Sequence, residues 1–183
     1  MATNPLVDDV ARREIYEGAL SSMGMQDSEL FWSAPGHAVA RWRRIFLQLR
    51  SEEMTPDAWN CIETSARLMR AQQRGTRRIG AMLVLLPGAP VVKVPLANRQ
   101  RELIAEMLQD ERLHMCVVLE GDGVMTVVQR AALRLVLPSP RRTVCSTVRE
   151  AVRVLIAALG ETERASELTT FVNALLRDIR SSP

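Results

Sequence analysis

Apolar residues fall into two rhythms along this chain: short unbroken runs, and stripes at helical spacing between them. Residues 79–86 form a continuous apolar segment ended by Pro87-Gly88, and residues 113–119 form another ended by Gly121. Between them, 98–110 carries Leu103, Ile104, Met107 and Leu108 on one helical face. Strands buried on both sides have this unbroken pattern, and joining two of them through a helix predicts a right-handed βαβ unit. The motif then repeats. A helix carrying Val124, Val128, Ala131, Ala132 and Leu135 on its core face is expected after Asp122 as cap, Pro138 and Pro140 end it, and 142–146 supplies a short parallel strand.

Upstream, 30–33 and 37–46 flank Ala34-Pro35-Gly36, which predicts an antiparallel hairpin with 37–46 as its second arm. Thr55-Pro56-Asp57 then opens a helix: the threonine caps, proline suits the first helical position and aspartate complements the dipole. Its expected core stripe is Trp59, Ile62, Ala66 and Met69, with Glu63, Arg67 and Arg70 outside and an end near Gly75. Downstream, Thr147-Val148-Arg149-Glu150 has the S/T-x-x-E form of a helix start. That helix buries Ala151, Val152, Leu155, Ile156 and Leu159 and stops at Gly160. A last helix carries Leu168, Phe171, Val172, Leu175 and Ile179 on one side. Residues 1–27 are a polar extension whose stripe of Val7, Val10, Ala11 and Ile15 is thin. No internal repeat or low-complexity linker appears. The expected organisation is 1–27 extension, 28–160 core domain and 161–183 additional helix, with α/β fold class and a mixed sheet: a β-hairpin edge and a parallel remainder.

The segments Trp42-Arg43-Arg44, Met82-Leu83-Val84-Leu85-Leu86-Pro87-Gly88, Val117-Val118-Leu119-Glu120-Gly121-Asp122-Gly123 and Val144-Cys145-Ser146-Thr147-Val148-Arg149-Glu150-Ala151 stand in this order. With that layout over about 130 residues, the chain resembles the STAS domain of anti-sigma-factor antagonists and its SpoIIAA-like relatives. The resemblance implies a non-enzymatic bacterial signalling module that docks onto another protein. In the antagonists a serine at the start of the helix after the central strand switches binding by phosphorylation. Here that junction, 87–99, reads P-G-A-P-V-V-K-V-P-L-A-N-R and holds no Ser or Thr, so the switch is not carried over.

Composition narrows the function. The chain has 183 residues, 47% hydrophobic and 25% charged, which suits one globular domain. Its 24 cationic residues are all arginine except Lys93 and are interspersed with 21 acids, giving a net charge of only +3. A nucleic-acid binder concentrates charge on one face, and aromatics total only 4%, too few for a stacking platform around Trp32, Trp42, Trp59, Arg41, Arg43 and Arg44. No nucleic-acid partner is expected. Cys61, Cys116 and Cys145 lie in no CxxC spacing and read as small buried hydrophobes. With charges throughout the first 18 residues and no run long enough for a bilayer, a cytoplasmic location without membrane insertion is expected.

The chemistry of catalysis is sparse. His37 and His114 stand away from any carboxylate at useful spacing, so neither a nucleophile nor a metal set is visible, and no enzyme activity and no cofactor are expected. Glu120-Gly121-Asp122-Gly123 sits where an α/β sheet can hold an anion, yet its two acids would repel phosphate, so a tight capped turn is the simpler reading. The connection 87–98 is long and apolar at the carboxyl edge of the sheet, where ligands and partners bind. The residues expected to touch a partner or ligand are therefore Gly88, Val91, Val92, Lys93, Asn98, Arg99, Asp122 and Gly123. The leading reading is a protein-interaction or regulatory module acting as monomer or homodimer. The alternative is a small-ligand or nucleotide-binding protein using loops 87–98 and 120–123.

Overall fold

The computed structural model describes residues 27–181 apart from 73–74, 76, 88, 90–97, 138 and 162–163. Strands β1 (Ser28–Ala34), β2 (His37–Trp42) and β3 (Ile45–Arg50) are followed by α1 (Pro56–Gln72), β4 (Ile79–Leu85), α2 (Asn98–Gln109) and β5 (Leu113–Leu119). Then come α3 (Val124–Val136), β6 (Arg142–Cys145), α4 (Val148–Leu159) and α5 (Ala165–Ser181). The six strands form one sheet in sequential order, antiparallel from β1 to β3 and parallel from β3 to β6. The α/β class and the mixed sheet with a hairpin edge are as expected.

The segment 37–46 is not one strand. The chain reverses at Arg43-Arg44, pairing Trp42 with Ile45, so β3 is a separate strand that starts the parallel part of the sheet. Arg43 has φ of 52°, the left-handed region that costs a non-glycine residue roughly 1 kcal/mol. Its backbone N–H donates to the Asp27 carbonyl at 2.7 Å and its Nη1 to the Asp27 carboxylate at 2.5 Å, which holds the turn.

The topology dictates how the sheet is covered. The connections β3-α1-β4, β4-α2-β5 and β5-α3-β6 all step the same way, and right-handed crossovers then place all three helices on one face. On that face Val39, Phe46, Ala81 and Leu113 meet Ile62 and Met69 of α1, while Leu85, Val117 and Val144 meet Leu133 beneath α3. The opposite face would stay bare if the chain stopped at β6. Instead α4 packs on β4, β5 and β6, and α5 on β2 and β3. Leu155, Phe171 and Leu175 there join Trp42, Leu47, Val84 and Val118 in one core. At Gly80 that packing is close: a Cβ would stand 3.0 Å from Ile45 and 3.3 Å from Leu159, so glycine lets α4 approach β4.

Several local expectations hold in detail. Thr55 Oγ1 accepts from the Ala58 amide at 3.1 Å, and Thr147 Oγ1 from the Glu150 amide at 3.2 Å. Glu63 differs: it is 8% exposed, because Arg67 and Arg99 approach its carboxylate at 2.9 and 2.7 Å and compensate its burial. Cys61 is only half-buried, whereas Cys116 and Cys145 are buried. A hydrogen bond with Cys145 and then desolvation push the Cys116 thiol well up, which keeps it protonated and unreactive.

Candidate functional site

The carboxyl edge of the parallel strands carries only part of the expected contact set. Gly88, Val91, Val92 and Lys93 lie outside the described residues. Asn98 opens α2 in an exposed position, and Arg99 beside it spends its guanidinium on Glu63. Asp122 is exposed but does not cap α3. The N-cap is Gly123, with extended backbone and no side-chain hydrogen bond, because the chain enters the helix one residue later than the sequence suggests. The polar groups of this junction are engaged internally: Glu120 accepts from Arg180 at 2.7 Å and the Gly121 carbonyl from Arg130 at 3.0 Å. That is the bonding of a tied turn.

The arginines at the other edge are also paired. Arg41 donates to Glu29 at 2.9 Å, and Arg44 donates to Glu161 and to the Leu159 carbonyl at the end of α4. Arg78 donates to the Ala158 carbonyl at 2.9 Å, so cations satisfy the last carbonyls of α4. Trp42 is buried, Trp32 packs half-buried against the core cluster of Val39 and Ile62, and Trp59 is half-buried on α1. Among the described residues, no group of three or more His, Cys, Asp or Glu side chains could hold a metal, and no helix is long and apolar enough to cross a membrane.

Helix α3 departs most from expectation. Its apolar stripe should face the sheet, yet Val124 is 83% exposed, Val128 57% and Leu135 81%, with Met125, Val127 and Ala131 also exposed. The half-buried positions are Thr126, Gln129, Arg130 and Leu133. Two hydrogen bonds fix this rotation: Arg130 to the Gly121 carbonyl, and Arg134 to the Val144 carbonyl of β6 at 3.3 Å. Among the described residues, Leu133 of the helix and Leu137 just after it pack onto the cluster of Leu85, Val117, Leu119 and Val144. The helix therefore presents its apolar side to the outside. Large apolar side chains exposed together on one helix face mark interaction surfaces. Periodicity announced the stripe but not its direction, since helical spacing is the same whether the stripe meets its own sheet or another molecule.

No family model matches the sequence, no curated protein is similar to it, and no solved structure matches the fold.

Proposed function

We propose that this protein is a non-enzymatic interaction module of the STAS-like type, and that it docks through the outward face of α3. The observation that carries the reading is the rotation of that helix, with Val124, Val128 and Leu135 outside and Arg130 half-buried. Val124, Val128, Ala131 and Leu135 follow a four-three-four spacing, the seam that packs against a second helix. Helix α3 carries Arg130 and Arg134 and no acid. Both arginines are spent on carbonyls of this domain, so the seam that a partner meets is apolar, and the occupant is an amphipathic helix of a partner protein. The layout of a hairpin leading into sequential βα units supports the STAS-like reading.

Capture from native-source lysate, with wild type compared against the double variant Val124→Glu/Val128→Glu, tests it. Exposed substitutions change stability by about 0.5 kcal/mol or less, so the variant should melt like the wild type. It should lose a partner that the wild type retains. Equal capture by both proteins, or a variant that no longer folds, would contradict the reading.

A further inference from the structure

A second feature, separate from the docking face, lies between α2 and the sheet. Polar ties hold α2 at both ends. In its first turn Arg99 reaches Glu63 of α1 at 2.7 Å, while near its end Glu106 accepts from Arg70 of α1 at 3.0 Å and the Leu108 carbonyl accepts from Arg142 of β6. Among the residues of the helix only Leu103 is buried; Ile104, Met107 and Leu108 stay half-buried above a cavity of about 240 Å³. The floor includes Phe46, Leu83, Met115 and Val117. Leu83 and Met115, inside β4 and β5, are half-buried too, where a closed core would cover them. The ties set the height of α2, so the cavity is built into the fold: closing it would break them.

We propose that this cavity binds a neutral, apolar aromatic molecule of two-ring size. Volume sets the size. An apolar cavity of about 150 Å³ takes benzene, so this one takes roughly ten non-hydrogen atoms, the number in naphthalene. Close-packed interiors keep few voids larger than a water, and an apolar one stays dry, which leaves this space to an apolar occupant. The lining sets the polarity. Among the described residues around the cavity Arg50 is the only charged one and Gln48 the only amide, and both are engaged: Arg50 Nη1 donates to the Glu52 carbonyl at 3.4 Å, and the Gln48 amide faces the Met54 sulfur at 3.2 Å. An anion would lose its hydration and have to displace that carbonyl, and a cation would be repelled by Arg50. A neutral apolar molecule meets neither cost. The rings of Phe46 and Trp59 and the thioethers of Met107 and Met115 suit an aromatic occupant, since sulfur packs well at a ring edge and unbranched methionines adjust to its outline.

Titration of the full-length protein with naphthalene and with 2-naphthoate, read by calorimetry and by melting temperature, tests the assignment. Naphthalene should bind saturably and raise the melting temperature, with 2-naphthoate at least tenfold weaker. Leu83→Phe fills the floor and Met107→Trp the roof, and each should weaken naphthalene at least tenfold. Met107 is half-buried on a helix, so its variant decides if Leu83→Phe does not fold. Val124→Glu/Val128→Glu should bind naphthalene like the wild type, which separates failure here from failure of the docking surface. The proposal is overturned if the wild type shows no saturable binding, if 2-naphthoate binds as tightly as naphthalene, if the filling variants bind like the wild type, or if Val124→Glu/Val128→Glu loses the binding.

Discussion

Arg44, in the turn between β2 and β3, donates to Glu161 through Nε at 3.0 Å and Nη2 at 2.5 Å, and so ties the antiparallel edge of the sheet to the residue after the Gly160 cap of α4. Arg43 adds its Nε at 3.5 Å from the same carboxylate. With the Glu161 side chain only 15% exposed, the cluster is shielded enough to matter. Glu161→Gln keeps the volume and removes the charge, leaving two arginines facing each other. Its unfolding free energy should fall by about 1–3 kcal/mol in urea denaturation. A change below about 0.5 kcal/mol would place the pair with ordinary surface bridges.

The carboxylates give the acid limb of stability its shape. The Ser146 backbone N–H at 2.9 Å and hydroxyl at 3.1 Å hold Glu150 below the usual carboxylate range, and Arg112 does the same for Asp110. Groups whose folded pKa is depressed contribute fully above their unfolded value, near pH 4–4.5, and that contribution disappears as pH falls through the folded value. Glu150→Gln should therefore destabilise the protein at pH 7, with the gap to wild type closing as the pH falls through the acid range. A gap of constant size across that range would mean that the Ser146 contacts do not form in solution.

Stopping the chain after Gly160 should do more than trim an end. Because every crossover helix lies on the other face, loss of α5 uncovers Trp42, Leu47 and Leu49 at once. At about 25 cal/mol per Å² of apolar surface this is several kcal/mol, a large share of a domain's net stability. The truncated chain should bind a hydrophobic dye and lose its cooperative thermal transition. A transition at the full-length midpoint would contradict the role given to α5.

Much of this fold is legible in the sequence, for physical reasons that also mark where legibility stops. The β4-α2-β5 unit announces itself because buried parallel strands cannot alternate polar and apolar residues. The start of α4 shows because the Thr147–Glu150 pair bonds locally. The turn at Arg43-Arg44 is hidden because no glycine or proline marks it: contacts from Asp27 and Glu161 hold Arg43 in place, and Glu161 is distant in sequence. Glu63 reads as a surface residue until Arg99 is brought against it from α2. At the candidate site, Asn98, Arg99, Asp122 and Gly123 lie at the expected edge, but the α3 stripe, whose spacing suits a core face, is exposed. The sequence encodes that stripe, while the rotation that exposes it depends on Arg130 and Arg134 reaching carbonyls of neighbouring segments.

The central claim, that the outward face of α3 is a binding surface, is tested most directly by a photoreactive phenylalanine placed at position 128 and, as control, at Arg149 on α4. After irradiation in native-source extract, position 128 should give one discrete adduct with a partner protein, competed by the unmodified protein, and position 149 should give none. No adduct at 128, an adduct of doubled mass containing only this chain, or equal labelling at both positions would contradict the account.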